Sequence, residues 1–233
     1  TYGVHPYVLL NHRQDLNSVY TLAHEMGHAM HSYYSNKTQP YVTSGYSIFA
    51  AEVASTVNEI LLTKHLLSTT KDGRLRAYVL NHYIDQFRTT VLRQTMFAEF
   101  EKISHEMVQQ GHPLTPDALC EQYAVLNRLY YGSEIETDAT IAYEWSRIPH
   151  FYNAFYVYKY ATGFSCAVSI VKNLKKTGML DRYRQFLCSG GSHYPMEQLR
   201  TAGIDFATVV DSCMGEFAEA LEDFTQLSQN WSY

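Results

Sequence analysis

The sequence predicts a mainly α-helical domain with a small β-sheet near its N-terminal end, and three observations lead there. The 233 residues are 46% apolar and 18% charged, with 12 Gly and 6 Pro. That is ample material for a core and too little Gly and Pro for a disordered or collagen-like chain. Apolar residues recur at helical spacing through most of the sequence. Strand signals are confined to residues 3–11, where β-formers surround Pro6, a pattern that suits a sheet edge better than a central strand. The expected organisation is a single domain over residues 1–233, without internal repeats or low-complexity segments.

The elements follow in order. Asp15, Asn17 and Ser18 offer N-caps for a helix running to about residue 34, in which Val19, Leu22, Ala23, Met26, Ala29 and Met30 form the stripe expected to be buried. A loop with Pro40 and Gly45 spans residues 36–47. A second helix covers residues 48 to about 68, with Phe49, Val53, Val57, Ile60 and Leu61 as its apolar stripe, and Lys71, Asp72 and Gly73 punctuate its end. Residues 74–110 are periodic again and stop at Gly111, His112 and Pro113. Thr115, Pro116 and Asp117 have the chemistry to start the next helix, toward Tyr130. A tyrosine-rich stretch over residues 142–160 leads to Gly163 and a helix through about Lys176. Residues 189–192 are a turn, and two helices follow.

Charge and leader signals narrow the function classes. The formal net charge is −5, with Lys and Arg scattered, so there is no electrostatic footprint for nucleic acid. No apolar stretch approaches the roughly 18 residues needed to span a bilayer, and no charged-then-apolar leader opens the sequence, so neither membrane nor secretion is expected. Cys120, Cys166, Cys188 and Cys213 are widely spaced without a C-x-x-C, which reads as reduced packing residues in a cytoplasmic protein.

His24, Glu25, Met26, Gly27 and His28 form an H-E-x-x-H motif inside a well-capped helix. Side chains at i and i+4 project from one face and can reach one Zn²⁺ together. Glu25 lies about 100° round the helix, where its carboxylate can take a proton from a water that the metal activates. His31 shares nearly the same stripe, but seven residues of helix rise by about 10.5 Å whereas Zn–N bonds are about 2.0–2.1 Å, so His31 is assigned to packing or support. A catalytic zinc needs a third protein ligand, and the second helix offers Glu52 and Glu59, two turns apart on one face. Glu52 sits among small residues that would let two helices approach closely, while Glu59 could hold a ligand histidine by its other nitrogen.

The run T-L-A-H-E-M-G-H-A-M-H-S, followed by Y-S-I-F-A-A-E-V-A-S-T-V-N-E, resembles the M3 metallopeptidases, in particular their oligoendopeptidase F branch. The resemblance covers most of the chain. It implies a zincin-like helical metallopeptidase catalytic domain with a small β-sheet near the active site. It also implies one Zn²⁺ per chain held by His24, His28 and Glu52, with Glu25 as general base. A second matching block, residues 147–163, implies that His150, Tyr158 and Tyr152 donate to the oxyanion or position the substrate, with Tyr156 and Tyr160 as substitutes. The implied substrates are short unfolded oligopeptides, bound along an extended edge that residues 7–11 resemble. Family members carry a long helical portion before the motif, so the resemblance implies a C-terminal catalytic part whose partner is the N-terminal portion of the same protein.

Two other classes remain open in the sequence. A different zinc hydrolase, such as a metallocarboxypeptidase, would require a positive group for the substrate's terminal carboxylate, and Arg147 is the candidate. A helical binding module with an inactive metal site would hold no stoichiometric metal.

Overall fold

The computed structural model describes residues 1–229, so the last four residues of the expected domain lie outside it. The described residues are mainly helical and contain no strand. Ten α-helices follow in order: α1 Leu16–Thr38, α2 Tyr41–Ser44, α3 Ile48–Thr69, α4 Gly73–Gln86, α5 Arg93–Gln109, α6 Pro116–Tyr131, α7 Tyr158–Asn173, α8 Met179–Cys188, α9 Pro195–Thr201 and α10 Val209–Gln229. The chain folds as two compact units, Thr1–Asp85 with the chain from Thr162 onward, and Gln86–Ala161. None of the described helices is long and apolar enough to cross a membrane.

The small sheet is the expectation that fails. Residues 3–11 form no strand, because β-formers alone do not make one: a ladder needs a neighbour, and no other described segment is extended beside them. Leu9 is 98% exposed. Just before the segment Tyr2 Oη donates to the Gln39 carbonyl at 3.0 Å, and within it the rings of His5 and Tyr7 lie 4.4 Å apart. The substrate edge expected at residues 7–11 is therefore absent as a strand.

In the first unit α1 packs against α3 and α8. Asp15 caps α1 by accepting from the Ser18 amide at 2.8 Å, and Ser47 caps α3 by accepting from Ala50 at 3.2 Å. The buried face of α1 is Tyr20, Gly27, His31 and Ser35. This differs from the expected apolar stripe, of which Val19, Leu22, Met26 and Met30 are each about two-fifths exposed. The physical reason lies at Gly27. A Cβ there would stand 2.5 Å from Ser55 Cα and 2.9 Å from the Ala54 carbonyl oxygen, so the two backbones are in contact and the small face must be the one that docks. Ala50, Val53, Ala54, Ser55, Val57 and Ile60 of α3 complete the seam, all buried. Gly163 of α7 meets Phe49 and Val53 of the same helix.

The second unit has its own core, in which Met96, Phe97 and Phe100 of α5 pack on Tyr123 and Leu126 of α6, with Ile148 and Val157 closing it. Phe100 and Tyr123 meet edge to face at 5.3 Å. The helical run expected over residues 74–110 is interrupted by a π-helical turn, Phe87–Leu92, which adds a residue per turn and leaves no mark in a 3.6-residue pattern. Part of the tyrosine-rich stretch is 3₁₀-helical, Ala139–Arg147 and Pro149–Tyr152. Its buried Glu144 accepts from Tyr123 Oη at 2.6 Å and Arg93 Nη2 at 2.7 Å, and also pairs with Arg147.

Candidate metal centre

The two histidines of the motif stand one turn apart on α1, their rings 4.7 Å apart and perpendicular. Close packing at Gly27 brings α3 alongside, and with it the Glu52 carboxylate. Glu52 Oε2 lies 3.4 Å from His24 Nε2 and 3.9 Å from His28 Nε2. One ligand atom from each of the three residues lies within 4.8 Å of the others. A tetrahedral zinc with bonds of about 2.0–2.1 Å holds its ligands roughly 3.3 Å apart. Two imidazole nitrogens and one carboxylate oxygen at these separations fit such an ion with small side-chain adjustments.

Supporting contacts orient the three. Ser55 Oγ donates to Glu52 Oε2 at 3.3 Å. Asn58 Nδ2 donates to the Ala23 carbonyl at 3.2 Å, tying α3 to α1 one residue before His24. On the far side of the His24 ring, Nδ1 donates to Glu59 Oε1 at 2.5 Å, which leaves Nε2 toward Glu52 and His28. The two carboxylates that share a face of α3 thus divide between the two nitrogens of one ring. Glu59→Gln is expected to weaken zinc affinity about 10–100-fold while leaving the fold intact, measured by competition with a chromophoric chelator.

The electrostatics follow from this crowding. Burial opposes a charge on His24, but the Glu52 and Glu59 carboxylates outweigh it and push its pKa up to about 10. Burial, helped by the charge on His24, lowers the pKa of His28. The His24 hydrogen bond holds Glu52 below the ordinary carboxylate value against its burial. The same carboxylates thus favour a proton on His24, while burial and the neighbouring His24 charge keep one off His28. Glu25 and His28 line one cavity of about 150 Å³ together with Val4, Pro6, Tyr7 and Val8.

His31 is 1% exposed and lies away from the donor trio, stacked on Tyr46 at 3.7 Å with Phe186 at 5.3 Å. Burial, with His28 nearby, lowers its pKa to about 3 from an ordinary 6.5. Because the folded value is depressed, the unfolded chain takes up a proton below pH 6.5 that the folded chain refuses. Stability is therefore fully present above 6.5 and falls as the pH drops toward about 3. In urea unfolding compared at pH 6.5 and 4.5, His31→Phe is expected to lose about 2–3 kcal/mol less than the native sequence.

His150, Tyr152 and Tyr158 belong to the second unit. His150 Nε2 meets Tyr160 Oη at 3.1 Å, and its ring stacks on Tyr156 with centroids 5.4 Å apart. Tyr156 and Tyr160 are thus in direct contact with the histidine, while Tyr152 is 85% exposed and Tyr158 is 46% exposed. Gly27, Ser55 and Asn58 were not singled out by sequence reasoning. A glycine in mid-helix, which costs about 1 kcal/mol against Ala, marks the close approach on the α1 side, as the small residues around Glu52 do on the α3 side.

The comparisons with known proteins decide the family. The model of peptidase family M3 matches residues 3–214. This chain belongs to peptidase family M3. It is 47% identical over 230 residues to oligopeptidase PepF of Bacillus subtilis, covering 97% of this chain and 34% of that protein. It is 43% identical over 231 residues to group B oligopeptidase PepB of Streptococcus agalactiae, covering 97% of this chain and 38% of that one. Among solved structures, the oligoendopeptidase-F of Enterococcus faecium superposes with a TM-score of 0.84 at 44% identity, over 93% of this chain and 40% of that one. The M3 chain described here therefore spans between a third and two-fifths of the length of these relatives.

Proposed function

We propose that this chain supplies the catalytic part of a zinc-dependent endopeptidase that hydrolyses short unfolded oligopeptides. The observation that carries the reading is the convergence of His24, His28 and Glu52 from two helices, within 4.8 Å of one another, with Glu25 adjacent in sequence to the first of them. Family membership and relatives named oligopeptidase and oligoendopeptidase support it.

In this reading His24 Nε2, His28 Nε2 and a Glu52 oxygen hold the metal. Zinc bound there would polarise the scissile carbonyl and make a water acidic enough to attack near neutral pH. Glu25 takes the proton of the attacking water on a carboxylate oxygen and returns it to the leaving amine nitrogen. Glu59 fixes the tautomer of His24 by accepting from Nδ1. His150 and Tyr158, with Tyr152, would offer hydrogen bonds to the oxygen that becomes negative as the carbonyl is attacked. Tyr156 and Tyr160, which touch the His150 ring, would steady it.

The carboxypeptidase reading needs a cation ready for a terminal carboxylate. Arg147 pairs with Glu144, whose carboxylate also takes up Arg93 and Tyr123, so its charge is already engaged. An internally quenched peptide blocked at both ends separates the two. Cleavage at an internal bond by the zinc-loaded chain is the expected result, and cleavage only of peptides with a free C-terminus would overturn the endopeptidase reading.

A further inference from the structure

We infer that Glu101 is a positioning residue for the segment that carries His150 and the tyrosines, holding it through the backbone of Phe155. The inference rests on the proposed role of His150 and goes beyond it to what keeps that loop in shape. Phe155 has φ of 56°, and no other described residue except glycine has a positive φ. A bulky aromatic rarely adopts this conformation, and it persists only where surrounding contacts fix it. It falls between His150 on one side and Tyr156, Tyr158 and Tyr160 on the other, so the reversed φ turns the chain in the middle of the aromatic run.

Two contacts from one face of α5 account for it. Glu101, 4% exposed, accepts the Phe155 amide on Oε1 at 2.7 Å. One turn later the His105 ring packs on the Phe155 ring with centroids 4.7 Å apart. His105 is itself fixed, because its Nδ1 lies 2.8 Å from the Glu101 carbonyl oxygen, an atom that can only accept. Residues 101 and 105 thus grip Phe155 by amide and by ring. A carboxylate is seldom buried unless it is partnered, and here the partner is a main-chain amide 54 residues away. On either side Ile148 and Val157 are anchored in the core, so the turn at Phe155 joins two fixed points of the segment.

The test compares Glu101→Leu, which removes the acceptor at similar size, with Glu101→Gln, which keeps one. In the zinc-loaded chain, Glu101→Leu is expected to lower kcat on a quenched peptide about tenfold to a hundredfold, with KM within about twofold and zinc stoichiometry unchanged. Glu101→Gln should stay within about threefold of the native kcat. Independently of turnover, hydrogen exchange at the Phe155 amide should speed up about tenfold or more in Glu101→Leu and stay slow in Glu101→Gln. Equal exchange in the native chain and Glu101→Leu would overturn the brace. So would an unchanged kcat in Glu101→Leu when His150→Ala lowers it. If His150→Ala leaves turnover unaltered, the reading of His150 fails instead, and the exchange of the Phe155 amide still decides whether Glu101 holds the turn.

Discussion

Glu25→Gln is expected to lower kcat for peptide hydrolysis by about 10²–10⁴-fold while zinc binding stays intact. The amide matches the carboxylate in size and keeps an oxygen near the reacting water, but it cannot take up a proton at neutral pH. The three side chains assigned to the metal are untouched, and the contacts that orient them come from Ser55, Asn58 and Glu59 rather than from position 25. Steady-state kinetics on a quenched peptide, with zinc measured on the same samples, gives both quantities. Near-normal kcat would remove Glu25 from the proton-transfer role, and loss of zinc together with turnover would place it among the ligands.

Gly27→Ala is the second large effect. The added methyl would stand 2.5 Å from Ser55 Cα and 2.9 Å from the Ala54 carbonyl oxygen. Both are backbone atoms, so no side chain can swing away, and α1 and α3 must part. Overpacking of this kind costs about 1–3 kcal/mol or more, against which the better helix propensity of Ala returns about 1 kcal/mol. The net loss is expected to lower Tm by several degrees, roughly 2–4 °C per kcal/mol for a chain of this size. Zinc affinity should fall with it, because the seam that separates is the one that sets Glu52 against His24 and His28. Gly215 of α10 is the control, since a Cβ there meets nothing within 4 Å. Gly215→Ala should leave both Tm and zinc affinity unchanged or raise Tm slightly.

What could be read in the amino-acid order was what depends on near neighbours along a helix. The spacing of His24 and His28, the cap at Asp15 and the buried Val53, Val57 and Ile60 of α3 follow from local pattern, and the structure keeps them, whereas Leu61 of the expected stripe is exposed. The choice between Glu52 and Glu59 was open because spacing alone puts both on one face. The geometry gives Glu52 to the side shared with His28 and Glu59 to the Nδ1 side of His24. The buried face of α1 was misread because hydrophobicity pointed to Val19, Leu22, Met26 and Met30, whereas docking follows the small residue that admits a second backbone. The strand over residues 3–11 was misread because β-propensity describes fit to a neighbour that the described chain does not provide. The hold of Glu101 on Phe155 spans 54 residues and pairs a side chain with an amide, so no local pattern could announce it.

The ligand set is the central claim, and a zinc-edge anomalous difference map from crystals of the zinc-loaded chain tests it most directly. A single strong peak about 2.0–2.1 Å from His24 Nε2, His28 Nε2 and a Glu52 oxygen is the expected result. A peak held by other residues, or none after zinc loading, would contradict it.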